Sequence, residues 1–485
     1  MEKKDIKNII SGLSWSFGER ILAQGITFGV SIILARILSP TEYGLIALTL
    51  VFINLSNVFV VSGFGEALIQ KKNIKSDEFS TMFWISISFS LVLYVILYNL
   101  APFIAKLYKI DNVVWILRVL ALKLPLASMN TIQRAYLIRK MEFKKFFFST
   151  LGGTLISGIV GVILAYKGFG VWALVFQYMI NSSIDTLILS LIIKWKPKLI
   201  FNINSAKTLF NYSWKITGAT FINELYSEIR TLIIGRVYTP ADLAFYNRGN
   251  QFPSLFITNI SSSINTVLFP AMSKLQDKKE ELKLFSKNAL IFSSYIIFPL
   301  LMGLMGISKT LVIILLTDKW QETIPYLQIL CLFYVTQPLQ AINWQVLKAT
   351  GRSDLCLKLE IIKKIIGFIL ILLTMFISMK ALAWSATIFA IISTLINMIP
   401  NNKLINYPIT EQIKDLYMNI FLSVTMYFIV WSIGNIFIDI SILTLILQIF
   451  IGAFYYIGIS YILKIEAFFI LYRKIFYNYI KEYYL

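Results

Sequence analysis

The sequence contains no histidine and only two cysteines, Cys331 and Cys356. The commonest general base and metal ligand is therefore missing, and no cysteine cluster replaces it, so metal chemistry is disfavoured. No G-x-x-x-x-G-K-[ST] loop occurs, which excludes ATP hydrolysis through a phosphate loop of that type. The connections between apolar stretches are too short for a soluble catalytic domain. We therefore expect a protein that is not an enzyme and that needs no cofactor.

Charged residues are also scarce: they make up 14% of the 485 residues, against 57% hydrophobic residues and a mean hydropathy of +0.73. Soluble domains carry roughly 25% charged residues. Apolar stretches of about twenty residues recur along the chain, which predicts an all-α polytopic membrane protein. We place about fourteen spans, within a range of about twelve to fourteen, near residues 12–35, 41–64, 80–101, 113–137, 146–166, 170–193, 206–235, 241–269, 286–306, 322–346, 357–379, 381–400, 415–433 and 440–463.

One segment of the chain occurs twice. Residues 35–42 read Ala-Arg-Ile-Leu-Ser-Pro-Thr-Glu, and residues 235–242 read Gly-Arg-Val-Tyr-Thr-Pro-Ala-Asp. In both copies a Ser or Thr is followed by Pro at the first helical position and an acid at the third, which predicts a capping box that restarts a helix. Asn130 has a similar counterpart in Asn343. A chain built twice on one plan is typical of transporters.

The repeat predicts two six-helix lobes, and the chain continues beyond them. We assign residues 1–200 to the N-lobe, 201–402 to the C-lobe, 403–463 to two additional transmembrane helices, and 464–485 to a cytosolic amphipathic tail lying in the membrane interface. A simple membrane anchor is the alternative role for this tail. Four prolines fall inside predicted spans and predict kinks, namely Pro125, Pro253, Pro299 and Pro338.

The net charge of +20 is distributed unevenly. About twenty-eight Lys and Arg residues lie in loops on one side and about eight on the other, which predicts that both termini are cytosolic. The basic clusters lie beside the spans, where they set topology and contact anionic lipid, so nucleic-acid binding is disfavoured.

Polar residues form lines on two consecutive spans. Helical spacing aligns Ser213, Thr217, Thr220, Glu224, Ser227 and Thr231 on the seventh, and Asn247, Gln251, Ser254, Thr258, Ser261 and Asn265 on the eighth. Two such lines favour a water-filled cavity, although hydrogen bonding between helices is the alternative. Glu224 and Glu228 stand one turn apart and are candidates for binding a coupling proton or Na⁺. An ion pair of Glu228 with Arg230 or Arg248 is the competing structural explanation.

The corresponding lines in the first half are basic. Span one carries Arg20 and Gln24, and span four carries Lys123, Asn130 and Arg134. Arg20 and Arg134 could extend to the cytosolic surface, whereas Lys123 lies near the middle of its span. A cationic lobe suits an anionic cargo such as a diphosphate or a uronic acid. The candidate substrate-binding residues are Arg20, Gln24, Lys123, Asn130, Arg134, Asn247, Arg248, Gln251 and Asn343.

Several stretches resemble a known family: Leu-Ala-Arg-Ile-Leu-Ser-Pro-Thr-Glu-Tyr-Gly at 34–44, Phe-Gly-Glu-Ala-Leu-Ile-Gln-Lys at 64–71, Asn-Thr-Ile-Gln-Arg-Ala at 130–135 and Leu-Lys-Ala-Thr-Gly-Arg-Ser-Asp at 347–354. They look like the polysaccharide transporter family, in its Wzx-type, WzxC-like branch. This family lies within the multidrug/oligosaccharidyl-lipid/polysaccharide exporter superfamily.

The resemblance implies a MATE-like fold and a flippase that moves undecaprenyl-diphosphate-linked oligosaccharide across the bacterial inner membrane by ion-coupled alternating access. The implied partners are the lipid-linked glycan, inner-membrane lipids, and polymerase and glycosyltransferase proteins. A drug or metabolite antiporter of the MATE type is the alternative, and it would prefer acidic groups in its cavity.

The charge asymmetry generates a test of topology. Reporter fusions after Lys75, Lys145 and Lys279 should all give a cytosolic signal. Each of these residues follows a span that is predicted to cross the membrane from the outside to the cytosol, and each lies in a basic loop. The measurement is the activity of a reporter that works on one side of the membrane only. An extracytoplasmic signal at any of the three positions would contradict the span count before it.

Overall fold

A computed structural model describes residues 3–61, 64–71, 74–437 and 440–470, and every regular element in these ranges is a helix. The first half contains α1 (Lys3–Ile37), α2 (Pro40–Val61), α3 (Phe64–Gln70), α4 (Ser76–Tyr108), α5 (Val113–Leu120), α6 (Lys123–Arg139), α7 (Phe143–Tyr166) and α8 (Val171–Ile192).

The second half begins with α9 (Ile203–Val237), α10 (Pro240–Lys274), α11 (Lys279–Gly306) and α12 (Ser308–Leu316), followed by a 3₁₀ turn (Asp318–Trp320). It continues with α13 (Thr323–Val335), α14 (Gln337–Ala349), α15 (Ser353–Thr374), α16 (Met379–Ile405), α17 (Ile409–Ile436) and α18 (Ile442–Ile462). Residues 466–470 are helical, and the rest of the predicted tail lies outside the described residues.

Ten helical stretches in the described part of the chain are long and apolar enough to cross a membrane. They confirm the predicted all-α membrane fold. The predicted spans that do not reach this threshold are α9, α10, α13 with α14, and α15, all of which carry polar or charged residues within the helix. The full count of fourteen stays a prediction.

Both copies of the repeated segment form the predicted capping box. The Glu42 carboxylate accepts hydrogen bonds from the backbone N–H and the hydroxyl of Ser39, at 2.7 and 2.9 Å. The Asp242 carboxylate accepts the same pair from Thr239, at 3.1 and 2.7 Å. These bonds satisfy donors that the first turn of a helix leaves unpaired, so α2 and α10 begin at equivalent prolines. The helices before them, α1 and α9, each have 35 residues.

Two of the four predicted proline sites coincide with helix breaks. The fourth span is divided between α5 and α6 at Ala121 and Leu122, and the tenth between α13 and α14 at Thr336. Pro125 and Pro338 lie in the first turn of the restarted helices, where a missing backbone N–H costs nothing. Pro253 and Pro299 lie inside the uninterrupted helices α10 and α11.

The chain divides into two compact units, residues 1–244 and 245–485, with the boundary inside α10. In the first unit α1 packs along α7, and α9 packs against α2, α3 and α4. In the second unit α16 packs against α13, α14 and α15, and α11 packs against α17. The lobe boundaries proposed from the sequence stay a prediction.

The first of the two additional helices, α17, is fixed to α11 by a polar seam. Lys283 pairs with Glu411 at 2.8 Å, and Lys287 pairs with Asp415 at 2.7 Å. One turn further on, Asn419 donates a hydrogen bond to the backbone carbonyl of Ile291 at 3.0 Å. Because the partners advance by four residues on both helices, α11 and α17 run side by side in the same direction.

The segment that joins α8 to α9, residues 193–202, is bonded to α4. Trp84 Nε1 donates to the carbonyl of Lys198 at 2.9 Å, and the backbone N–H of Lys198 donates to the Ser80 hydroxyl at 3.1 Å. The backbone N–H of Asn202 donates to Thr81 Oγ1 at 3.1 Å. The segment contributes backbone groups to these bonds, while α4 contributes side chains.

Gly44 in α2 permits a close approach to the start of α10, because a Cβ at this position would overlap the backbone carbonyl group of Pro240. Gly458 in α18 is the opposite case, since a Cβ there would meet nothing within 4 Å. The two glycines are therefore a matched pair, both in helices, that differ in the space around them.

We expect Gly44→Ala to lower the free energy of unfolding by about 2 kcal/mol, since backbone atoms must move apart. Gly458→Ala should raise it by about 0.5 kcal/mol, because alanine costs less conformational entropy in a helix. Thermal midpoints in detergent micelles measure both changes. A Gly44→Ala protein as stable as the parent would contradict the tight contact.

Candidate functional site

A polar cluster in the first unit is centred on Asp185 of α8. Its Oδ2 accepts hydrogen bonds from Asn130 Nδ2 at 2.7 Å and from Arg134 Nη2 at 3.0 Å. Ser149 of α7 donates its hydroxyl to the other carboxylate oxygen. Two predicted site residues are thus brought together, and Arg134 pairs with a carboxylate although its side chain is 39% exposed.

The sequence reasoning missed Asp185. The signal that could have found it is a single carboxylate inside an otherwise apolar span, because an ionisable group there requires a partner or water. The Asp185 side chain is 14% exposed, and it forms an ion pair with Arg134. Gly153 of α7 lies against Asn181 and Asp185, and its lack of a side chain lets α7 approach α8. The cluster therefore holds three helices together and neutralises the charge of Arg134.

Lys123 is the first residue of α6, directly after the helix break. Its ammonium group lies 4.9 Å from the centre of the Tyr178 ring, within the range of a cation–π contact. Among the residues that the structure describes, no carboxylate pairs with Lys123. An aromatic face does not neutralise a charge, so Lys123 keeps a positive charge that an anionic ligand can use.

The second unit repeats this arrangement without its charges. Asn343, the counterpart of Asn130, accepts a hydrogen bond of 2.5 Å from Asn401 Nδ2 of α16. Asn401 thus stands where Asp185 stands in the first unit. The counterparts of Arg134 and Lys123 are Leu347 and Thr336. The repeat therefore retains a polar bridge between equivalent helices in both copies. The ion pair between Arg134 and Asp185, in contrast, is a feature of the first copy.

Glu224 and Glu228 are both half-buried on α9. Glu228 accepts a hydrogen bond from Asn54 Nδ2 of α2 at 3.3 Å. Within the described residues neither carboxylate forms an ion pair, and Nε and Nη2 of Arg230 are buried without a hydrogen-bond partner. The pairing of Glu228 with Arg230, considered above as a structural explanation, is therefore not formed.

The two predicted polar lines are not uniform. On α9, Ser213 and Thr217 are buried, Thr220 and Thr231 are half-buried, and Ser227 is exposed. On α10, Asn247, Gln251 and Ser254 are half-buried and Thr258 is exposed, while Ser261 and Asn265 lie outside the residues whose side chains are described. The exposed members of the two lines are Ser227 on α9 and Thr258 on α10, and the other described members are packed against protein to different degrees.

Two further candidates lie together on α10. Arg248 is 5% exposed and donates from Nη1 to Gln251 Oε1 at 2.5 Å. Its guanidinium group also lies 5.4 Å from the centre of the buried Trp320 ring. Trp320 was not predicted, because it lies in the 3₁₀ turn, far from α10 in the sequence.

The two remaining candidates lie on α1. Arg20 is exposed and Gln24 is half-buried, and the two residues are one helical turn apart.

The second unit contains a polar cavity of about 720 Å³ that the sequence did not reveal. Its walls include Gln340, Trp344 and Lys348 of α14, Glu360 and Lys363 of α15, and Asn397 of α16. Lys363 pairs with Glu360 at 2.8 Å and lies 4.4 Å from the centre of the Trp344 ring. These residues come from three helices, so no pattern within a single helix could have predicted the cavity.

An apolar cavity of about 380 Å³ lies between α10, α11, α17 and α18. Gly303 and Gly452 contribute to its lining, together with Pro299, Met426 and Tyr456. A Cβ at Gly303 would meet Met426 and a Cβ at Gly452 would meet Val430, so these two glycines let α11 and α18 approach α17 closely beside the cavity. The two additional helices form one side of this cavity.

Comparison with known proteins adds three findings. The lipopolysaccharide biosynthesis protein WzxC of Escherichia coli (strain K12) is 26% identical, over 73% of this chain and 72% of its own length. The succinoglycan biosynthesis transport protein ExoT of Rhizobium meliloti (strain 1021) is 24% identical, over 67% and 66%. The solved structure of the lipid II flippase MurJ in an inward closed conformation matches with a TM-score of 0.72 at 18% identity, over 94% of this chain and 98% of that one. At this identity the structural likeness establishes the fold.

A family described as "Polysaccharide biosynthesis protein" matches residues 33–325, which is more than half of the chain. The match begins inside α1 and ends at the start of α13, so it includes both capping boxes and the Asp185 cluster. The resemblance noted in the sequence is therefore confirmed, and the chain belongs to the polysaccharide biosynthesis protein family.

Proposed function

We propose that this chain is a flippase that moves undecaprenyl-diphosphate-linked oligosaccharide across the bacterial inner membrane, with both termini in the cytosol. The observation that carries the proposal is the family match across residues 33–325 of an all-helical, multi-span chain. The chain is not itself an enzyme in this proposal. Separate glycosyltransferases and a polymerase make and break the glycosidic bonds on either side of the step.

The charge of the first unit agrees with an anionic cargo. Lys123 lies beside an aromatic ring and has no carboxylate partner among the described residues, whereas the charge of Arg134 is balanced by Asp185. A diphosphate carries several negative charges, and an unpaired cation within a span attracts it. We therefore assign Lys123 to the diphosphate, and treat Asn130 and Arg134 as residues that position α6 beside it.

The apolar cavity beside α17 and α18 gives the lipid part of such a cargo a place to bind. Its lining is almost entirely aliphatic and aromatic, as a polyprenyl chain requires, and it lies in the second unit. A soluble drug or metabolite would not need this surface. The alternative of a MATE-type antiporter is supported by the half-buried Glu224 and Glu228, which suit a cationic cargo.

Lys123→Ala should reduce flipping about tenfold, which corresponds to the loss of about 1.4 kcal/mol of interaction with the anionic group. Lys123→Arg should retain most of the activity, because it keeps the positive charge. The measurement is the flipping of a diphosphate-linked oligosaccharide lipid in proteoliposomes at matched protein levels.

Thr336→Ala is the matched control, since Thr336 is the uncharged counterpart of Lys123 in the second unit. It should flip the lipid at the parental rate. Parental flipping by Lys123→Ala would remove Lys123 from the substrate site, and absence of flipping by the parent protein would overturn the proposed function.

Glu224 and Glu228 are proposed to carry the coupling ion. Two carboxylates at i, i+4 in a medium of low polarity repel each other when both are ionised, so one should bind a proton or both should share Na⁺. The double variant Glu224→Gln/Glu228→Gln keeps size and hydrogen bonding but removes the exchangeable charge. It should abolish flipping driven by an imposed proton or Na⁺ gradient while binding of the cargo persists.

Asn54→Ala is the control for this variant, because it removes the hydrogen bond to Glu228 and leaves both carboxylates in place. It should retain a response to the gradient. If the double Gln variant responds to the gradient as the parent does, coupling lies elsewhere or the protein works without an ion.

A further inference from the structure

The polar cavity of the second unit extends along α14. Gln337, at the first residue of the helix, and Lys348, one residue from its end, both line the cavity. They are eleven residues apart, which corresponds to about 16 Å at 1.5 Å per residue. The cavity therefore runs along the length of α14, from the helix break at Thr336 to the hairpin between α14 and α15.

Asn397 places a buried acceptor without a hydrogen-bond partner in the cavity wall. Asn397 of α16 is 2% exposed, and its side-chain oxygen forms no hydrogen bond with the described residues. A buried acceptor without a donor costs about 1–3 kcal/mol. A ligand that occupies the cavity and supplies a hydroxyl proton would remove this cost.

The charges in the cavity wall nearly cancel. Lys363 is buried and forms an ion pair with Glu360, so the two contribute little net charge. Lys348 is exposed and forms no ion pair within the described residues, which leaves about one positive charge near the end of α14. Trp344 adds an aromatic surface between these groups.

These properties select one class of ligand. A free phosphate or diphosphate consists mainly of acceptor oxygens, and Lys348, the exposed cation of the wall, would balance only part of its charge, so it fits a wall of amides and an aromatic ring poorly. An aliphatic chain would leave the amides and charges of the wall without partners. A sugar has hydroxyls that both donate and accept, together with C–H faces that pack on an aromatic ring. The volume of about 720 Å³ lies in the range of small-molecule sites.

We propose that this cavity binds sugar residues of the transported glycan, with Asn397 accepting a hydroxyl proton and Trp344 packing against a ring face. Lys348 favours a sugar that carries a carboxylate. This proposal rests on the proposed function, because it assumes that the bound sugars belong to the lipid-linked cargo. All the residues named for this site belong to the second unit.

The test uses the full chain in lipid nanodiscs and three free probes: glucose, glucuronate and inorganic pyrophosphate. Binding is measured by saturation-transfer difference NMR. Both sugars should bind with a dissociation constant on the order of 1 mM, equivalent to about 4 kcal/mol, and glucuronate should bind more tightly than glucose. Asn397→Leu should weaken binding of both sugars at least about tenfold. Asn402→Leu, an exposed position on the same helix, is the matched control and should bind as the parent does.

Lys348→Gln gives a second test, because its exposed side chain can be changed without disturbing the packed core. It should remove the preference for glucuronate over glucose. Absence of sugar binding by the parent, or unchanged binding by Asn397→Leu, would overturn the sugar site. Pyrophosphate binding that is lost in Asn397→Leu would overturn it in favour of an anion site. Failure of the parent to flip lipid with sugar binding intact would refute the proposed function alone.

Discussion

A charge placed inside a membrane span has to be balanced by a partner or by water, because the hydrocarbon core supplies neither. This constraint explains the arrangement of the ionisable residues here. Asp185 and Arg134 balance each other between α8 and α6, and Glu360 and Lys363 do so on α15. Lys123 lies against the face of an aromatic ring and pairs with no carboxylate in the part of the chain that the structure describes. The residues that remain unbalanced are those to which a charged ligand or ion can bind.

The same constraint shows how one repeated plan gives two different units. An amide bridge between equivalent helices is kept in both copies, through Asn130 in the first and Asn343 in the second. The ion pair of the first copy is replaced by Leu347 and Asn401, which need no counter-charge. Ion pairs of the second unit lie elsewhere, on α15 beside a cavity and between α11 and α17. The repeat therefore preserved helix packing and redistributed the polar chemistry.

Much of the fold was predictable, because its signals are local. The capping boxes depend on residues three apart, and the helix restarts at Pro125 and Pro338 follow from the missing backbone N–H. The centre of the first-unit cluster was not predictable in the same way, since Asp185 lies 55 residues from Asn130 and 51 from Arg134. Periodicity shows which residues share a helix face. It does not show which helix that face contacts, and Asn397 was missed for this reason.

The segment between α8 and α9 is held in two ways. Ile193 and Trp195 are buried in the apolar core of the first unit, whereas the exposed residues 198–202 are bonded through their own backbone to side chains of α4. The second kind of attachment is indifferent to most side chains of the attached residues, but it depends on the number of residues between the bonded positions. Homologues should therefore vary freely in the composition of residues 198–202, while insertions and deletions there should be rare. For these five residues, length is the inherited property and sequence is not.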